Sequence, residues 1–280
     1  MLKNRVVAAG GLGNQLFQWA FAHYLFNKTN KKITLISIDR KEGKSHTKSG
    51  LHNLISSCSK VTIINSKLAS RFPALFDPWN STARRYYRYL GINYDQKEFE
   101  INPSTNWNYY VGYFQNFNYI NSNLDHIKTE LNLALYAKCA TLEQALLGKT
   151  VIHIRGGDLT PKSESVNNST KSYIKNAIVT CNLNKTELPI ILTDDPKYAD
   201  RLTQGIPVSR IIGPDQLSVY ESLYVMANSK NLILSPSTLS WWGGFLCSSN
   251  GYLVIAPQSQ IVSGRIVLDL PYSSMNWIFV

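Results

Sequence analysis

Five short runs of β-branched and apolar residues, spread through the second half of a 280-residue chain, limit its fold more than any other feature. They are Thr150–Arg155, Pro189–Thr193, Val208–Ile212, Asn231–Leu234 and Tyr252–Ala256. Patterns of helical spacing fill the intervals, at about 169–183, 196–204, 216–229 and 238–249. Runs this short and apolar on both sides predict strands covered on both faces. Alternation of such strands with helices predicts a parallel sheet. The first half opens the same way, with a strand at Arg5–Ala9, a glycine turn at Gly10–Gly13, a helix at Gln15–Asn27 and a strand at Ile33–Ile38. A strand at Tyr109–Tyr113 and a long helix over 117–147 are expected to lead into the second half. Residues 40–108, rich in Ser, Asn, Lys and Tyr, have no clear period. The expectation is an α/β protein of two Rossmann-like domains, 1–148 and 149–280, facing a cleft, with ligands at the carboxyl ends of the strands.

Composition narrows the functional classes. Hydrophobic residues make up 44% and charged residues 17%, as in ordinary globular proteins. No stretch reaches the roughly 18 apolar residues of a membrane span. The start, Met1 to Val7, has no signal-peptide pattern, so a cytoplasmic protein is expected. The net charge of +11 points to an anionic partner: nucleic acid, a phosphate-bearing substrate or a membrane surface. No zinc-finger spacing or RNA-binding aromatic signature supports nucleic acid. The densest basic cluster, Arg84 to Arg88, fits a lipid or phosphate contact or an exposed helix face. Cys58, Cys139, Cys181 and Cys247 are far apart and read as free thiols rather than a metal or disulfide framework.

Four segments carry candidate chemistry. In His153-Ile154-Arg155-Gly156-Gly157-Asp158, a strand sends His153 and Arg155 to one face, and two glycines let backbone approach a ligand. Arg155 has the planar donor fork that suits phosphate, and Asp158 fits a partner for it or for the turn. A tight turn with a surface Arg–Asp pair explains the same residues. In Ser235–Gly244, Ser237 or Thr238 can cap a helix whose free N–H groups bind diphosphate, with the hydroxyl of Ser240 as a further donor. Trp241 and Trp242 read as core or as a pocket wall, and Gly243-Gly244 within a helix predicts close packing against a neighbour. Asp194-Asp195 before Pro196 reads either as a helix cap or as an acceptor for guanine. Ala9–Gln18 begins like a dinucleotide fingerprint, yet Leu16 stands where the third glycine belongs, and Asp39 is the only acidic candidate downstream. Gly11 and Gly13, followed by Asn14 and Gln15, suit a backbone that meets a sugar.

Together these segments resemble the bacterial α-1,2-fucosyltransferases, glycosyltransferase family 11. The family's opening is similar to Gly10–Gln18, its G-Y-F-Q segment to Gly112–Gln115 and its H-x-R-R-x-D motif to His153, Arg155 and Asp158. Its T/S-D-D segment is similar to Thr193–Asp195 and its S-x-x-S-W-W-G signature to Ser237–Gly243. The matches run in order over about residues 6–257, with one departure: Gly156 replaces the family's second arginine.

The resemblance implies a GT-B-like fold and an inverting transfer of fucose from GDP-fucose to the 2-hydroxyl of a galactosyl residue, with no metal required. It implies Arg155 at the β-phosphate, assisted by Ser237, Thr238 and Ser240, with His153 and Asp194 or Asp195 at guanine. Asn14, with Gly11 and Gly13 beside it, is implied to face the fucose or the acceptor, and Arg155, Asn14 and Asp158 are the residues expected in catalysis. The implied acceptor is a galactose-terminated oligosaccharide on a lipid carrier, in O-antigen biosynthesis, with peripheral contact at the inner membrane and no nucleic acid. The alternatives are a glycosyltransferase with another donor or acceptor, or a non-catalytic nucleotide-sugar-binding protein.

Overall fold

A computed structural model describes residues 4–38, 50–66, 85, 93–94, 109–157, 160–161, 163–183, 186–258, 261–262, 265–266 and 275–280. Asp39, Asp158 and all of the basic cluster except Arg85 lie outside the described residues. The chain divides into two compact units, Met1–Ala134 and Leu135–Val280.

The first unit is a five-stranded sheet. Its strands are β1 (Asn4–Ala8), β2 (Ile33–Ser37), β3 (Val61–Asn65), β4 (Asn93–Tyr94) and β5 (Tyr109–Val111), in the order β3-β2-β1-β5-β4. Every pairing is parallel. The α1 helix (Leu12–Thr29) follows β1 and ends at Asn30 in the left-handed conformation. Twelve of its 18 residues are buried, because it packs on the sheet and on the short helix α2 (Phe117–Asn121).

The single helix expected over 117–147 is interrupted. Helix α2 ends at Ser122, and α3 (Leu124–Lys138) starts two residues later. The Ser122 hydroxyl donates back to the Tyr119 carbonyl, and the Asn27 amide donates to the Asn123 side chain. These short polar side chains bond the backbone and a neighbour instead of continuing the helix.

The second unit is a six-stranded sheet. Its strands are β6 (Thr150–Ile154), β7 (Ile190–Thr193), β8 (Arg210–Ile212), β9 (Asn231–Ile233), β10 (Leu253–Ala256) and β13 (Ile278–Phe279), all parallel, in the order β13-β10-β9-β6-β7-β8. A separate small hairpin pairs β11 (Ile261–Val262) with β12 (Arg265–Ile266). The five predicted strands are present within two residues at each end. Helices α4 (Glu164–Thr180), α5 (Pro196–Thr203), α6 (Val219–Ala227) and α7 (Thr238–Ser249) lie between them in sequence. Central strand β6 is buried along its whole length, and Ile152, Ile154, Ile191, Ile233 and Ile255 form one core with Ile174, Ala177 and Leu202. Helix starts follow local chemistry: Asp195 caps α5 with Pro196 next, and Ser218 with Glu221 makes a capping box for α6.

Gly243 and Gly244 sit where α7 meets its neighbours. A methyl group at Gly243 would stand 2.8 Å from Met226 Cβ, and one at Gly244 would stand 2.9 Å from the Trp277 ring. Trp241 and Trp242 are fully buried, which places both in the core. No helix among the described residues is long and apolar enough to cross a membrane.

In the second unit, the connections that leave the adjacent strands β6 and β9 run in opposite directions, to β7 and β10. Ligands of open parallel sheets bind outside the carboxyl ends of the strands at such points.

Candidate active site

At the β6/β9 switch point, β6 delivers His153 and then Arg155 just past its end, while β9 runs out into Leu234-Ser235-Pro236. A cavity of about 730 Å³ opens there, lined by His153, Arg155, Ser235, Tyr173, Tyr198 and residues of α4, among others. Tyr173 carried no signal in the sequence beyond a helical pattern. Its hydroxyl donates to the carbonyls of Leu234 and Ile255, which join the ends of β9 and β10. A tyrosine on a helix facing the carboxyl ends of two strands is visible only once the topology is known.

Arg155 forms an ion pair with Asp194, at the end of β7. The other oxygen of Asp194 accepts from the Gly156 N–H at 2.7 Å. One carboxylate therefore fixes the guanidinium and the turn behind it. Asp195 acts elsewhere, since its Oδ1 accepts from the Tyr198 N–H and caps α5. The adjacent carboxylates expected near guanine are thus both engaged within the unit, and Asp195 Oδ2 has no donor among the described residues. Among the described residues, Asp194 is an ion-pair partner of Arg155.

The residue that departs from the arginine pattern has a steric reason. A Cβ at Gly156 would stand 2.6 Å from Asp195 Cβ, 3.2 Å from the Tyr198 ring and 3.3 Å from the Thr160 hydroxyl. Gly157 follows with a φ of +59°, a conformation that glycine adopts without cost.

His153 is buried, and its Nδ1 lies 3.0 Å from the Ser235 hydroxyl. Burial, and secondarily the charge of Arg155, pushes its imidazole down to about 3. The ring is therefore neutral at working pH and acts as a hydrogen-bonding group. An unfolded chain takes up this proton near pH 6.5, while the folded chain does not. The stability contributed by the neutral ring is complete above that value. It is lost by about 1.4 kcal/mol per pH unit as the pH falls toward 3. Denaturant midpoints between pH 7 and 5 should fall with that extra slope in the native sequence and not in His153→Asn; identical slopes would contradict it.

Ser237 caps α7, its hydroxyl accepting from the Ser240 N–H, and the Ser240 hydroxyl accepts from the Ser235 N–H. Ser240 is fully buried and fixes the loop. Thr238 is the first residue of α7, whose first turn holds no acidic residue. The helix N-terminus therefore starts two residues beyond the cavity wall with its N–H groups uncompensated by charge.

In the first unit, the corresponding segments follow the carboxyl ends of the paired strands β1 and β5. Gly10 has a φ of +88°, and Gly11 is the N-cap of α1. Gly13 is buried inside the first turn. Asn14 is half-buried, packs over Gly10, and accepts a hydrogen bond from Gln115 at the end of β5. Two glutamines act as struts beneath it. Gln15 donates to the Gly10 carbonyl and accepts from the Leu51 N–H. Gln18 accepts from the Ala9 N–H and donates to the Gly112 carbonyl. The Gly10–Gln18 and Gly112–Gln115 segments, about 100 residues apart in sequence, are joined by the Asn14–Gln115 bond.

Comparison with known proteins agrees with this arrangement. Glycosyl transferase family 11 matches residues 3–279. An alpha-1,2-colitosyltransferase of Escherichia coli is 25% identical, over 89% of this chain and 89% of that protein. WbnK, an O-antigen biosynthesis glycosyltransferase of Escherichia coli, is 24% identical, over 89% of this chain and 92% of that protein. The crystal structure of the fucosyltransferase NodZ from Bradyrhizobium superposes with a TM-score of 0.50 at 12% identity, covering 87% of this chain and 93% of that one. The fold is thus the α/β, GT-B-like type, with two parallel-sheet units. Parallel strands that end at an arginine turn and a capped helix, and a family match over nearly the whole length, lead to one conclusion: this chain belongs to glycosyltransferase family 11 and is a glycosyltransferase.

Proposed function

We propose that the chain transfers fucose from GDP-fucose to the 2-hydroxyl of a galactosyl residue, with inversion and without a catalytic metal, in the synthesis of a surface polysaccharide such as O-antigen. The observation that carries this reading is Arg155, held by Asp194 at the rim of a cavity whose wall at Ser235-Pro236 leads, two residues on, into a helix start free of acidic residues. GDP departs only if its growing negative charge is stabilised, and fixed donors do this at no reorganisation cost. Arg155 grips the β-phosphate, and Ser237, Thr238 and the N–H groups of α7 receive the remaining phosphate oxygens. Asp194 is the positioning residue for Arg155. The neutral His153 ring and Asp195 Oδ2 face the guanine side. The second unit is the donor half. The first is the acceptor half, where Gly11, Gly13 and Asn14 approach the sugar. Asp158, outside the described residues, keeps the catalytic role that the resemblance implies.

The acceptor is a galactose-terminated oligosaccharide on a lipid carrier, and the net charge of +11 supports peripheral contact with the anionic cytoplasmic face of the inner membrane. The deciding assay offers GDP-fucose with β-galactosyl acceptors and determines the new linkage by NMR. Absence of any fucosylated product, or a linkage other than α-1,2, would overturn the assignment. GDP is expected to raise the melting temperature by several degrees and UDP to leave it unchanged; the opposite order would remove the guanine assignment. A colitosyl donor is the second reading, favoured by the colitosyltransferase relative. Competition between the two GDP-sugars in one assay separates them.

A further inference from the structure

His23 is the least comfortable polar residue among those described. It lies on α1 with no exposed surface, and neither ring nitrogen has a hydrogen-bond partner among the described residues. A buried imidazole in that condition costs stability that a phenylalanine of similar shape would not. Its ring meets Trp19 edge-on at 5.1 Å and tilts against His126 of α3 at 4.7 Å. One turn along α3, Glu130 reaches within 3.0 Å of His126 Nε2. One ligand atom from each of His23, His126 and Glu130 lies within 4.8 Å of the others.

From this geometry we infer that His23, His126 and Glu130 bind one divalent transition-metal ion of the zinc class, which pins α1 to α3. Two imidazole nitrogens and one carboxylate oxygen are a borderline ligand set that suits zinc and its neighbours, while calcium and magnesium prefer oxygen alone. Tetrahedral bonds of about 2.0–2.1 Å place ligand atoms roughly 3.3 Å apart. The three atoms reach that spacing by side-chain rotations of an ångström or so. His126 and Glu130 are spaced i, i+4 and so share one face of α3. The His126 side chain is 41% exposed, which gives the ion an entry path and leaves the fourth position to water.

Burial of His23 favours its neutral form, the form a metal requires. The Lys60 ammonium nearby acts in the same direction on both imidazoles. It also repels the ion, and the Glu130 carboxylate offsets that repulsion. The role is structural. His23 lies nine residues along α1 from Asn14, roughly 13 Å at 1.5 Å per residue, so the ion takes no part in transfer.

The test uses the full chain with Cys58→Ser in every sample, to remove the partly exposed thiol. After dialysis against a chelator, cobalt(II) is titrated in and its visible d–d absorption followed, then zinc(II) is added in competition. One equivalent of cobalt with tetrahedral-type absorption, displaced by zinc, is expected. His126→Ala and Glu130→Gln should each weaken binding by about 100-fold or more and abolish the rise in melting temperature that zinc gives the parent. Both residues are partly exposed on α3, so both variants should keep the parent's circular dichroism. Transfer at low temperature should be unchanged. No stoichiometric cobalt spectrum, or one that survives both substitutions, would overturn the site and leave the transferase reading untouched.

Discussion

Replacing Arg155 with alanine is expected to lower glycosyl transfer on the order of 100-fold while leaving the fold intact. The size follows from the loss of one charge-assisted contact to a leaving diphosphate, a loss of about 2.7 kcal/mol of transition-state stabilisation. The fold should survive because the Arg155 side chain is about a third exposed, and Asp194 keeps its bond from the Gly156 N–H when the guanidinium is gone. The loss should fall on kcat rather than on stability. Arg155→Lys keeps the charge but not the planar fork, and should recover only part of the rate. Turnover of Arg155→Ala within a few fold of the parent would sink the phosphate assignment.

The second large effect runs against intuition. Restoring the family's second arginine through Gly156→Arg should reduce activity at least tenfold and lower the melting temperature by roughly 5–10 °C. The new Cβ would stand 2.6 Å from Asp195 Cβ, so the loop carrying Asp194 and Asp195 must move. That movement would disturb the α5 cap at Asp195 and the ion pair at Asp194 together. Gly156→Ala carries the same clash without the charge and should show most of the loss of stability. A faster or more stable Gly156→Arg enzyme would show that the space is available after all.

The strands of the second unit were legible because each is a short apolar run stopped by glycine, proline or paired aspartates. Burial on both faces needs no partner information to be seen. Strand β13 was not legible, since Ile278-Phe279 is two residues long and becomes a strand only by pairing with β10. The break between α2 and α3 was missed because Ser122 and Asn123 are tolerated in helices and act here through bonds formed after folding. At the site, the spacing of His153 and Arg155 on a strand was visible, but a surface Arg–Asp pair explained the same residues until the other segments were read with them. The pairing of Arg155 with Asp194 was not visible, because Asp194 arrives from the next strand. Gln15 reads as a polar residue near a sugar, yet its side chain bonds to backbone at Gly10 and Leu51. Side-chain amides suit either role, and only the strand order decides which.

Asp194 also bears on what the enzyme ignores. A chain this basic draws polyanions of every kind to its surface, and a bare guanidinium at the rim of a cavity would be their natural landing place. Because Asp194 already occupies that guanidinium, a passing anion must displace a well-placed carboxylate to gain anything. Only a ligand with further contacts deeper in the cavity can repay the exchange. The ion pair is therefore expected to act as a threshold against anions that offer charge alone.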